Sequence, residues 1–224
     1  MDKNSIFTDF YLQNKHKVLH CFKPKIALIQ YKTFRIDLLS GERETVSCEE
    51  FLESLSAHKM KQEFPKPIVI HFFYEFGYCC NSLIDKLDDN KEIAIYIEYD
   101  EAYLESISAL ARSSVEFESI ENISFKEYRK KFKQVYSHLH AGDTYQLNLT
   151  MPFYFRFKEK INPRDFMQLV WKNPLNTGAY AHGTYISSLD KFYFSNSPEC
   201  LFQISKNKIK TMPIKGTISV EGQS

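Results

Sequence analysis

The chain has 224 residues, of which 43% are hydrophobic and 25% charged, and its formal net charge is +1. This is the balance of a folded globular protein of one large or two small domains. It excludes a disordered linker and a basic surface built to hold a nucleic acid backbone. No apolar run approaches the ~20 residues of a membrane span. The start, Met1 to Ser5, has no apolar core of the signal-peptide kind, so the chain reads as cytoplasmic, with no membrane partner.

The first strands expected are Lys25 to Tyr31, Ile68 to Tyr74 and Ile93 to Tyr99, each rich in β-branched and aromatic residues. Between the first two, a helix starts near Glu49, with Phe51, Leu52, Leu55 and Met60 at roughly helical spacing. Asp100 is placed to cap a further helix running to about Ala111. The polar stretch from Arg112 to Asn122 is the expected boundary between an amino-terminal region, 1–120, and a second region, 121–224.

Beyond it, Ser124-x-x-Glu127 is a capping box. It opens a helix with Phe125, Tyr128, Phe132, Val135, Tyr136 and Leu139 on one face, and Gly142 ends it. The stretch Tyr145 to Phe157 alternates apolar with polar residues and predicts a strand whose second face carries Gln146, Asn148 and Thr150. Asn162-Pro163 begins another helix, ending near Asn173-Pro174. Strands at 179–186 and 191–194 are expected to pair through Leu189-Asp190, and strands at 201–205 and 209–212 through Lys206 to Lys208. The class is α+β, with mixed and antiparallel sheets and packed helices.

Five cysteines (Cys21, Cys48, Cys79, Cys80, Cys200) form no C-x-x-C pair and are odd in number, so free, buried thiols are expected rather than a disulfide framework. The histidines show no H-E-x-x-H or similar spacing, and no metal ligands are assigned. The basic run Arg129 to Lys133 falls within a helical pattern and reads as a solvated face.

Three stretches carry possible chemistry. Ala141 to Leu149 is a helix-to-strand turn that displays Gln146. Ser197-Pro198-Glu199 fixes a carboxylate at a strand end, where burial would suit it to general acid work. Pro213-Ile214-Lys215-Gly216-Thr217 displays Lys215 between an apolar residue and a glycine. An ordinary lysine is deprotonated to only about one part in 2,500 at pH 7, so a nucleophilic role needs burial or neighbouring cations. On composition alone, each stretch also reads as a plain solvated strand, turn or loop.

In this order, the three stretches resemble the chorismate-utilising enzymes, the family of anthranilate synthase component I, aminodeoxychorismate synthase component I, and the isochorismate and salicylate synthases. Its members carry an A-G-D-x-[FY]-Q-x-N-L segment, then S-P-E, then P-I-[KA]-G-T. The resemblance covers about residues 120 to 217, and His71 to Gly77 adds a looser likeness to the family's amino-terminal region. Glutamine at 146, where water-adding members have lysine, implies the ammonia-using branch. Lysine at 215, where anthranilate synthases have alanine, implies the aminodeoxychorismate branch.

That branch implies Lys215 as the nucleophile toward chorismate, Glu199 as the acid for the leaving hydroxyl, and Gln146, Gly216 and Thr217 as pocket residues. It also implies Mg²⁺ as cofactor and a glutamine amidotransferase subunit as the source of ammonia. Members of the family are much longer, and their later sequence supplies the Mg²⁺ ligands. The chain therefore reads as the first part of an anthranilate-synthase-component-I-like fold, cut after the Lys215 motif, with a separate chain supplying the rest. The alternatives are a non-catalytic remnant or binding module, and an anthranilate synthase component I.

Overall fold

The computed structural model describes residues 5–57, 66–81, 83–107, 114–120, 122–205 and 208–214. The chain forms two compact units, one of Met1–Ala109 with Val170–Ser224, the other of Leu110–Leu169.

The first unit is built on an eight-stranded sheet. It contains β1 (Ile6–Leu12), β2 (Lys17–Gln30), β3 (Phe34–Asp37), β4 (Arg43–Thr45), β5 (Ile68–Phe72), β6 (Ala94–Ser106), β9 (His182–Ile186) and β10 (Lys191–Ser195). Along one path the order is β10-β9-β1-β2-β3-β4, and β6 lies against β2 with β5 on its far side. Every ladder among the described residues is antiparallel, and the α+β expectation holds.

β2 is the spine. Its first half pairs with β1, its last residues with β3, and its whole length with β6. The β2–β6 register shifts between Pro24 and Ile26, and Lys23 just before it has a φ of 53°. A proline cannot donate to a ladder, so the bulge falls where one bond is missing anyway.

Alternation along β6 splits the core. Ile95, Ile97 and Tyr99 join Ile6, Cys21, Ala27, Ile29, Val69 and Ile186 in one buried cluster. Ala94 and Tyr96 join Val46 and Phe51 in another. Phe51 belongs to α1 (Cys48–Ala57) and keeps only 1% of its surface exposed, a burial worth about 1.5–3 kcal/mol. The short helix α2 (Phe76–Cys80) follows β5.

Here one expectation fails. Asp100 does not cap a helix: β6 continues as strand through Ser106, pairing with Phe22 to Lys17. Tyr103 packs edge-on against His20 and Phe22. A full run of ladder bonds to β2 outweighs a local capping preference.

In the second unit, β7 (Phe117–Ser119) pairs with β8 (Phe155–Phe157), and α3 (Phe125–Ala141) lies between them in sequence. The capping box forms: the Glu127 amide donates to Ser124 Oγ at 3.3 Å, and Glu127 Oε2 accepts the Ser124 amide at 2.9 Å. Gly142 ends the helix at φ 80°, and the Asp143 amide reaches back to the His138 carbonyl. The strand expected from Tyr145 to Phe157 shrinks to β8. Residues before it alternate in character, but among the described residues no partner strand offers them a ladder.

The helix α4 (Pro163–Trp171) begins after Asn162, whose side chain accepts the Arg164 amide at 2.9 Å. β9 and β10 pair as expected, turning through Asp190 at φ 48°. A separate hairpin follows, β11 (Cys200–Ser205) with β12 (Lys208–Met212). Among the described residues, no helix is long and apolar enough to cross a membrane.

Candidate functional site

The Ser197-Pro198-Glu199 stretch links β10 to β11 within the first unit. Two contacts hold it. Ser197 Oγ accepts the Glu199 amide at 3.2 Å, and the Ser197 carbonyl accepts the Tyr180 amide at 3.0 Å. Beside it, Asn196 bridges to the segment before β9. Its Oδ1 accepts the Gly178 amide at 2.9 Å and its Nδ2 donates to the Asn176 carbonyl at 2.9 Å.

Gly178 is a glycine for a steric reason. A Cβ there would stand 2.4 Å from the carbonyl oxygens of both Asn196 and Ser197. Only a residue without a side chain lets the two segments approach so closely.

Glu199 is exposed, and its Oε1 accepts the backbone amide of Ile214 at 3.4 Å. Ile214 immediately precedes Lys215. The Glu199 carboxylate and the opening of the Pro213-Ile214-Lys215-Gly216-Thr217 motif are thereby neighbours across the 15 residues that separate Glu199 from Ile214. The β11–β12 hairpin makes this possible, because pairing of Cys200 with Met212 returns the chain to where β11 began.

Glu199 also borders a cavity of ≈ 1160 Å³ in the same unit, with Phe10, Tyr180, His182, Lys210 and Met212 among its lining. His182 Nδ1 lies 3.0 Å from the Tyr180 carbonyl and donates to it. The Tyr180 hydroxyl donates to Met212 Sδ at 3.4 Å. Lys210 supplies a cation to the lining, Glu199 a carboxylate, and Phe10 and Met212 apolar surface.

Of the residues expected at the site, Glu199 and the start of the lysine motif come together. Lys215, Gly216 and Thr217 themselves lie outside the described residues. Gln146 belongs to the second unit, where its side chain is exposed and its carbonyl accepts the Thr144 hydroxyl at 2.9 Å.

A family model described as chorismate binding enzyme matches residues 28–223. The chain belongs to the chorismate binding enzyme family. Aminodeoxychorismate synthase component 1 of Salmonella typhimurium is 30% identical over 139 residues, which is 59% of this chain and 29% of that protein. The protein of the same name from Klebsiella aerogenes is 35% identical over 97 residues, and that from Escherichia coli 32% over 97, each stretch covering 43% of this chain and 20% of the relative. The matched stretches span less than a third of the length of these relatives.

For this member of the chorismate binding enzyme family, the sequence marks only part of the surroundings of Glu199. Ser197, Pro198 and Glu199 were marked by their motif. Gly178, Asn196, Tyr180 and His182 were not, because their roles arise from close approach between segments and not from any local pattern. Mg²⁺ asks for carboxylates in octahedral array. Among the described residues no group of three or more His, Cys, Asp or Glu side chains is placed to hold a metal ion. These residues do not by themselves fit Mg²⁺.

Proposed function

We propose that this chain carries the nucleophile and the general acid of a cytoplasmic enzyme that aminates chorismate to 4-amino-4-deoxychorismate, the precursor of para-aminobenzoate and so of folate. The observation that supports it is the contact between Glu199 and Ile214, which sets a carboxyl group beside the lysine motif at the edge of a cavity. The likeness to aminodeoxychorismate synthase component 1 of three bacteria supports the same branch.

In this reading the neutral Lys215 amine bonds to C2 of chorismate as the ring double bond shifts and the C4–O bond breaks. Glu199 gives its proton to the departing hydroxyl, which leaves as water. Ammonia from a glutamine amidotransferase partner then bonds to C4, the double bond shifts back and the lysine is expelled. The net change exchanges hydroxyl for amine at one carbon. Gln146, Gly216 and Thr217 are read as pocket residues. Residues 121–224 form the first part of the chorismate-binding region in this account.

The test is product analysis. The chain, assembled with the remaining family sequence and supplied with chorismate, ammonium and Mg²⁺, is expected to yield the 4-amino isomer. Formation of the 2-amino isomer or its aromatic product would assign the chain to the anthranilate branch. Chorismate binding without turnover in the assembled protein would make it a binding module.

A further inference from the structure

Two thiols meet in the first unit, away from Glu199. Cys48 opens α1 and is fully buried, while Cys79 lies on α2 and is half-buried. The Cys79 thiol donates to Cys48 Sγ at 2.7 Å, and the Cys48 thiol donates to the Lys32 carbonyl at 3.5 Å. The sulfurs are closer than ordinary non-bonded contact, though well outside the ~2.05 Å of a covalent S–S bond. Leu87 and Ile93 form a buried cluster with Cys48, and Phe76, Tyr78, Cys79 and Ile84 pack against it, so both helix ends are fixed in place.

We propose that Cys48 and Cys79 form a disulfide on exposure to a low-molecular-weight disulfide, RSSR. The Cys79 thiolate bonds to one sulfur of RSSR, giving a mixed disulfide and releasing RS⁻. The Cys48 thiolate then attacks the Cys79 sulfur and expels the second RS⁻. The protons lost by the two protein thiols end on the two RS⁻, so the protein is oxidised by two electrons and RSSR is reduced to two RSH.

Cys79 is the expected point of entry because it is the more accessible of the pair. The second step is intramolecular between sulfurs already in contact, which favours closure over accumulation of the mixed disulfide. Burial is the largest cause raising both thiols above their ordinary range, and the nearby Glu49 carboxylate adds to it. The first step is therefore slow at neutral pH. Cys80, exposed beside Cys79, is the competing site.

The experiment uses the whole 224-residue chain. It is incubated with oxidised glutathione at mildly alkaline pH, quenched with acid, alkylated and digested without reductant for mass spectrometry. The expected result is one cross-linked peptide pair joining Cys48 to Cys79, reversed by dithiothreitol, with Cys21 and Cys200 alkylated. Cys48→Ala should trap glutathione on Cys79. Glutathione accumulating on Cys80 alone, or a Cys79–Cys80 link, in the unsubstituted chain would overturn the proposal. The readout on the unsubstituted chain stands whether or not the variant folds.

Discussion

Glu199 accepts the backbone amide of Ile214 through a single carboxylate oxygen at 3.4 Å. That contact ties the carboxylate to the backbone that leads into Lys215. Glu199→Gln keeps the shape and the contact to Ile214 but removes the acid. In the assembled enzyme, turnover with ammonium should fall by about 10²–10⁴-fold, with KM for chorismate little changed. Steady-state kinetics on the variant check this, and a turnover within twofold of the parent removes the acid role.

Gly178 tests the scaffold under Glu199. Alanine there would place a Cβ 2.4 Å from two carbonyl oxygens, and backbone must shift to relieve it. The expected cost is about 1–3 kcal/mol in urea unfolding. A neutral Gly178→Ala would show that the approach of the two segments is not tight.

His71 gives the fold a pH dependence. Its Nε2 lies 2.8 Å from Thr184 Oγ1, and its ring stacks on His182 and Tyr193. Burial, with the neighbouring His182 second, lowers its pKa from 6.5 to about 4. The unfolded chain therefore takes up this proton first as pH falls. Stability from a neutral His71 is complete above about pH 6.5 and is lost progressively toward pH 4, by on the order of 3 kcal/mol at most. Urea midpoints measured across that window should fall with acid, and less steeply in His71→Phe.

Ser124 and Glu127 were legible in the sequence because a capping box is local. The same three-residue spacing that identified it closes both hydrogen bonds. Ser124→Ala should speed amide exchange at Glu127 by about fivefold, the usual effect of a lost cap; unchanged exchange would mean the box contributes nothing. The β9–β10 and β11–β12 hairpins were also legible, since each turn lies between short strands adjacent in sequence. β1 and the first half of β2 were not: Lys23, Pro24 and Lys25 interrupt the apolar pattern of β2, and the outer partners, β9 for β1 and β6 for β2, are remote in sequence. Asp100 and Tyr145 misled in opposite directions. A local cap signal was overruled by a distant strand at Asp100. At Tyr145 a clean alternation found no ladder among the described residues. The Ser197-Pro198-Glu199 turn was legible as a motif. Its setting against Gly178 and Ile214 was not, since only the folded backbone brings those residues together.

The most direct measurement is the rate of 4-amino-4-deoxychorismate formation by the assembled enzyme with Lys215→Ala, ammonium serving as nitrogen source. A covalent role predicts a loss of at least about a hundredfold, because no other amine in the motif can bond to the ring. A rate equal to that of the parent would contradict it.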